Sequence, residues 1–237
     1  VCAPTTAERL RQLGIEEMVS QNRDSFKTDF QVSVDAAHGV TTGISAPDRA
    51  KTLLTLADPT STSADLNRPG HIFPLRAKDG GTLQRAGHTE AAVDLARLAG
   101  LRPIGVICEI MKEDGEMARL PDLKQFAQEH HLKICSIEDL IKFRRQREKL
   151  VELIEIVEMP TDHGDFKLHL YESKIDGAQH VALVNGDVTT GDPALVRVHS
   201  ECLTGDVFGS LRCDCGPQLH LAMEQVKEAG AGVILYM

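Results

Sequence analysis

The chain has 237 residues, 42% of them hydrophobic and 26% charged, which fits one large folded domain or two modest ones with aliphatic cores, since Trp is absent and Tyr occurs only twice. A formal net charge of −9 argues against non-specific binding to nucleic acid or to an anionic membrane surface. No apolar run approaches the roughly 20 residues needed to span a bilayer, and the opening VCAPTTAERL lacks the basic and apolar regions of a secretory signal.

Residues 5–19 have the apolar spacing of an amphipathic helix capped by Thr6. FQVSVDA, residues 30–36, alternates like a half-buried strand, and the Thr pair between Gly39 and Gly43 leads into a helix carrying Asp48 and Arg49. The Ser/Thr/Asp-rich residues 54–67 read as loop, and Pro69-Gly70 and Gly80-Gly81 as turns. Helical spacing returns over residues 89–98, which puts Gly87-His88-Thr89 at a helix N-terminus. Residues 104–110 read as an apolar strand, Asp114-Gly115 as a turn, and residues 121–129 and 137–144 as helices, the second capped at Ser136. The charged stretch RRQREKLVELIEIVE, residues 144–158, reads as helical and ends at Pro160. It divides the chain into a domain over residues 1–145, a helical linker over 146–160 and a domain over 161–237. In the second part, residues 166–171, 180–186 and 196–200 alternate like strands, residues 218–229 form a helix, and GVILYM, residues 232–237, reads as a buried strand. A start at Val1 and a stop at that strand, with nothing behind it to pair, read as a fragment cut at both ends.

Two constellations carry chemistry. Of the six cysteines, Cys202, Cys213 and Cys215 lie close together in C-x10-C-x-C spacing. Three thiolates suit a tetrahedral zinc that keeps one position for water, whose pKa falls to about 7. The same spacing also suits three buried cysteines, or a closed structural zinc with His199 or His220 as fourth ligand. The second constellation is RAGHTE, residues 85–90, at a helix start. Free amides, a positive dipole end, an Arg and a hydroxyl make a phosphate nest there, and His88 can ligate a metal. Taken alone, those residues read first as a plain helix capped by Thr89 with a surface His.

Residues 197–219, RVHSECLTGDVFGSLRCDCGPQL, together with HVALVNGD, residues 180–187, resemble the GTP cyclohydrolase II family. The likeness covers about residues 160–237. It implies that Cys202, Cys213 and Cys215 hold one catalytic zinc, and that Arg197, Val198, His199, Ser200, Glu201 and Gln218 help to bind GTP. In that family water on the zinc attacks C8 of the guanine, and formate and pyrophosphate leave. Arg197 and Arg212 are the local cations suited to phosphate. The family's following Gly- and Arg-rich segment, with its nucleophilic Arg and acid–base Asp, does not follow here, so the resemblance implies impaired turnover of GTP.

Residues 29–49, 65–76, 85–119 and 137–144 resemble the 3,4-dihydroxy-2-butanone 4-phosphate synthase family, a likeness over about residues 1–145. That family converts ribulose 5-phosphate to 3,4-dihydroxy-2-butanone 4-phosphate and formate with Mg2+ or Mn2+. The resemblance makes His88 a magnesium ligand, and Arg85, Ala86, Gly87, His88 and Thr89 substrate-binding residues. It makes Glu109 a proton-handling substrate contact and His71 an essential neighbour. The family's acidic metal-binding loop would lie upstream of Val1.

Together these likenesses imply an α/β protein of two domains. The first has a mixed sheet flanked by helices and is synthase-like; the second is an incomplete α/β zinc domain. They imply a cytoplasmic, homodimeric, bifunctional enzyme of riboflavin biosynthesis. A non-catalytic zinc-dependent binding or scaffolding module is the rival from another class. A zinc-dependent nucleotide deaminase fits less well, because the chain has no P-C-x-x-C motif.

Overall fold

The computed structural model describes residues 1–191 and 193–237. Its contacts divide the chain into one unit over Val1–Glu148 and a second over Lys149–Met237.

In the first unit, β1 (Cys2–Thr5) is followed by α1 (Ala7–Gln12), β2 (Val34–Ala36), α2 (Ala46–Ala57), β3 (Leu66–Arg76), α3 (His88–Leu98), α4 (Leu120–Glu129) and α5 (Ile137–Arg147). β3 is the middle strand of a mixed sheet, parallel to β1 and antiparallel to β2. Leu10, Leu13, Ile15, Val34, Leu56 and Ile72 meet in the aliphatic core. The expected caps form: Thr6 accepts from the Arg9 amide and Ser136 from the Asp139 amide, each satisfying a helix-end donor.

Several expectations fail for local physical reasons. The helix expected over residues 5–19 stops at Gln12, because Gly14 turns the backbone at φ +61° and drops Ile15 into the core. Of residues 30–36, only Val34–Ala36 forms a strand, with single pairings at Phe30 and Gln31. Residues 54–57 complete α2, and Ser63–Asp65 is one 3-10 turn. Pro69-Gly70 is no turn but lies inside β3. A side chain at Gly70 would meet the Val34 carbonyl carbon at 2.0 Å, so the bare backbone lets β2 close on β3 where their register shifts. Residues 104–110 make only isolated pairings, Thr5 with Ile104 and Cys2 with Ile107.

The end of α5 is clamped. Arg144 donates to Asp94 Oδ2 at 2.8 Å, to the Gly80 carbonyl at 3.0 Å and to both oxygens of Glu148. Asp94 also receives the Thr82 amide and hydroxyl, each at 2.7 Å.

The second unit holds β4 (Val151–Thr161), β5 (Gly164–Ser173), β6 (Gln179–Asn185), β7 (Leu195–His199), α6 (Cys215–Ala229) and β8 (Gly232–Tyr236). The helical linker expected over residues 146–160 is mostly β4, an edge strand paired to β5. Val151, Ile154, Ile156 and Val157 are β-branched and favour a pleated backbone. A register shift between Leu153 and Glu155 breaks the strict alternation, which leaves the sequence looking helical. The sheet order is β4-β5-β6-β8-β7. β8 therefore lies in the interior, antiparallel to β6 and parallel to β7, with α6 as the crossover between the two parallel strands. Its apolar run finds partners that precede it in the chain. α6 ends at Gly230, whose φ of +75° suits glycine, and lays Met223 and Val226 against Phe166, Leu183 and Ile234.

The Arg144 clamp gives a direct prediction. Asp94→Ala breaks the buried ion pair, leaving Arg144 only the Gly80 carbonyl and Glu148, and strips the Thr82 amide and hydroxyl of their acceptor, so it should destabilise the chain by about 3 kcal/mol. Urea unfolding measures this, and a loss below about 1 kcal/mol would contradict the clamp.

Candidate functional sites

In the first unit β3 carries His71 opposite β2, where Asp35 waits with its side chain 12% exposed. Asp35 accepts the His71 amide at 2.9 Å and approaches His71 Nδ1 at 2.7 Å. A carboxylate only accepts, so Nδ1 carries the proton and Nε2 is the free nitrogen of the neutral ring. Gly43 closes over this pair, since a Cβ there would lie 2.2 Å from Asp35 Oδ2 and 2.8 Å from His71 Nδ1. The loop is held by Asp48, which takes the Thr41 hydroxyl at 2.6 Å and the Gly43 amide at 3.0 Å. Those donors, the Thr41 hydroxyl first, hold the Asp48 carboxyl below its ordinary range.

Arg85, Ala86 and Gly87 lead directly into α3, and His88, Thr89 and Glu90 form its first turn. Glu90 is 1% exposed, accepts the Lys78 amide and pairs with Arg85 Nη1 at 2.6 Å. Arg85 Nη2 donates to the Phe26 carbonyl at 3.2 Å, which ties the residues before β2 to the start of α3. Ala86 and His88 are exposed, and Thr89 is buried. His88 lines an open groove of about 700 Å³ with Leu95, Ile107 and Ile134. Glu109 is exposed and ends no strand. Asp35 and Glu90, which orient His71 and Arg85, look in the sequence like any other acidic residues. Their shared signal is a lone acid in or beside an apolar segment.

In the second unit, Cys202, the turn Leu203–Val207, Cys213 and the first residue of α6, Cys215, converge. Cys202 and Cys213 Sγ lie 3.8 Å apart, and one potential ligand atom from each of the three cysteines lies within 4.8 Å of the others. Zinc–sulfur bonds of about 2.3 Å make a tetrahedral edge of about 3.8 Å, so the donor set and spacing fit one tetrahedral soft divalent ion. Among the described residues this is the one group of three or more metal-ligating side chains so close together; His88 belongs to no such group. The Gly205 amide, then the Thr204 hydroxyl, hold the Cys202 thiol below its ordinary value. Hydrogen bonds to Cys202 and Cys213 push the Cys215 thiol up to about 12.

Neither histidine joins the sulfurs. His199 is 2% exposed and directs Nε2 to both oxygens of Asp206 at 3.2 Å, while His220 stacks on His163 with centroids 4.4 Å apart. Arg197 Nη2 donates to Gln218 Oε1 at 2.8 Å, and Gln218 Nε2 donates to Asp214, so β7 and the start of α6 present these side chains together. Val198, Ser200, Glu201 and Arg212 are exposed.

Residues 1–143 match the family model for 3,4-dihydroxy-2-butanone 4-phosphate synthase, and residues 152–237 match that for GTP cyclohydrolase II. The chain is 57% identical over its whole length to riboflavin biosynthesis protein RibBA of Bacillus mycoides, and spans 59% of that relative's length. A crystal structure of RibBX, a two-domain 3,4-dihydroxy-2-butanone 4-phosphate synthase from A. baumannii, is 40% identical with a TM-score of 0.77, and the match covers 100% of this chain and 66% of that one. A synthase crystallised with two magnesium ions is 44% identical with a TM-score of 0.58, over 62% of this chain and 73% of that one.

Gly205 is the tightest point of the sulfur cluster, because a Cβ would lie 2.7 Å from Cys213 Sγ and 3.3 Å from Cys202 Sγ. Gly205→Ala should therefore spread the sulfurs and weaken binding of a divalent ion at least tenfold, about 1.4 kcal/mol. Titration with Co2+, read by its thiolate charge-transfer absorption, measures this, and unchanged affinity would contradict the geometry.

Proposed function

Because the chain belongs to the 3,4-dihydroxy-2-butanone 4-phosphate synthase family, and residues 152–237 match the GTP cyclohydrolase II family model, we propose that it serves riboflavin biosynthesis as a bifunctional enzyme. One reaction turns ribulose 5-phosphate into 3,4-dihydroxy-2-butanone 4-phosphate and formate. The other opens the imidazole ring of GTP with loss of formate and pyrophosphate. The observation that carries this reading is the joining, in one chain, of a synthase region to a region in which three sulfurs converge.

In the synthase unit, the first-turn amides of α3 and the Arg85 guanidinium receive the substrate phosphate. Glu90 fixes the plane of Arg85, so its charge is aimed before substrate arrives. His71, held through Nδ1 by Asp35, accepts or returns a proton at Nε2. Glu109 moves a second proton from its exposed position. Mg2+ or Mn2+, held in part by His88, supplies charge stabilisation for an enediolate when bound.

In the cyclohydrolase unit, Cys202, Cys213 and Cys215 hold one zinc, which supplies Lewis acidity and lowers the pKa of water when bound. The spacing of the sulfurs and the turning away of His199 and His220 support an open fourth position. Arg197 and Gln218 face GTP together, with Val198, Ser200 and Glu201 along the exposed strand. His199 acts within this stretch by anchoring it, since its Nε2 is engaged with Asp206. The homodimeric habit and cytoplasmic setting of the synthase family belong to the same proposal. Among the described residues no helix is long and apolar enough to cross a membrane.

Calorimetric binding tests the two sites separately. Arg85→Ala should weaken ribulose 5-phosphate binding at least tenfold with Mg2+ present and leave GTP binding unchanged, and Arg197→Ala should do the reverse. Formate release marks turnover as distinct from binding. The proposal fails if neither ligand binds the zinc-loaded protein, or if both variants weaken both ligands alike. The pH dependence has a definite sign. Zinc must displace the proton that Cys215 holds up to about 12, so apparent zinc affinity should rise as pH rises from 6 to 8. A flat profile would contradict thiolate ligation.

A further inference from the structure

We propose that Asp206 is the positioning residue of the three-cysteine site, setting the place of Cys202 through its backbone. The inference rests on the reading of that cluster as a metal site. The Asp206 side chain is 3% exposed. Its Oδ2 accepts the amide of Cys202 at 2.9 Å and the hydroxyl of Tyr236 at 2.9 Å, and both oxygens lie 3.2 Å from His199 Nε2. Two of the three donors belong to the sheet, because His199 ends the edge strand β7 and Tyr236 ends the interior strand β8. The third is the backbone of a sulfur ligand itself. The rings of His199 and Tyr236 stack with centroids 5.6 Å apart and planes 11° from parallel, so neither donor can swing without displacing the other.

The physical consequence is a rigid path from the sheet to the metal site. Without Asp206, the segment after β7 would hang from the sheet by the Glu201 amide on the Met237 carbonyl. Cys202 would then have to be ordered by the metal alone, and that ordering entropy would be subtracted from binding. Asp206 touches no sulfur. It acts on the ligand's main chain, while its neighbour Gly205 leaves the sulfurs room to converge. An acidic side chain serves best here because all three approaching groups are donors and a carboxylate only accepts.

The test uses the full chain with Asp206→Ala, Asp206→Asn and Tyr236→Phe. Zinc affinity is measured by competition with a chromophoric chelator, and thermal unfolding is measured on the metal-free proteins. Asp206→Ala should lower zinc affinity 10- to 100-fold, as loss of an outer-shell partner does. Asp206→Asn, which keeps an acceptor for the Cys202 amide, should recover part of that loss, and Tyr236→Phe should show a smaller loss of the same sign. Should Asp206→Ala fail to fold, the other two variants carry the test. Zinc affinity unchanged in every variant that folds overturns the proposal. So does a loss of affinity matched by an equal loss of stability in the metal-free protein, the mark of a merely structural role. If the unsubstituted chain binds zinc no better than Cys213→Ser, the metal-site reading itself falls, and this inference with it.

Discussion

Three thiols held within 4.8 Å of one another cannot all ionise unless a cation sits among them. Bringing two sulfurs to 3.8 Å is the work of the fold around them: a turn with no side chain at Gly205, a helix that starts at Cys215, and a carboxylate tied to the ends of two paired strands. Left as thiols, the group shares its protons unevenly, with Cys202 eased toward thiolate and Cys215 held as the thiol. A divalent ion bound among them would resolve that conflict, with each sulfur as a ligand.

The same device recurs in both units. Asp35 orients His71, Glu90 orients Arg85, and Asp206 orients Cys202 and His199. In each case a buried carboxylate accepts from a backbone amide as well as from the side chain it aims. The amide ties the acid to the fold, and the fold is what holds the oriented side chain to one geometry. These acids answer donors close by rather than face solvent, which is how charged groups persist in an interior.

What the sequence revealed and what it hid follow from the range of the forces involved. Caps are local, and Thr6, Ser136 and Gly230 fulfil their expected or usual roles because each acts within a few residues of itself. The cysteines were legible because their chemistry is carried by residue type and spacing. β4 was not, since a shifted register puts apolar residues on both faces and mimics a helical pattern that only pairing with β5 resolves. Pro69-Gly70 reads as a turn locally, yet it is strand because β2 comes close to Gly70 from more than thirty residues away in sequence. Two of the orienting carboxylates have long-range partners that were hidden for the same reason. Asp35 meets His71 across 36 positions and Tyr236 meets Asp206 across 30, so neither partner can be read from the residues beside the acid.

Zinc K-edge X-ray absorption on the reduced, zinc-loaded chain tests the central claim most directly, because it counts the atoms around the ion. The account predicts three sulfur neighbours at about 2.3 Å and one oxygen at about 2.0 Å, without the multiple-scattering pattern of an imidazole ring. A fourth sulfur, an imidazole signature, or a shell with fewer than three sulfurs would contradict it.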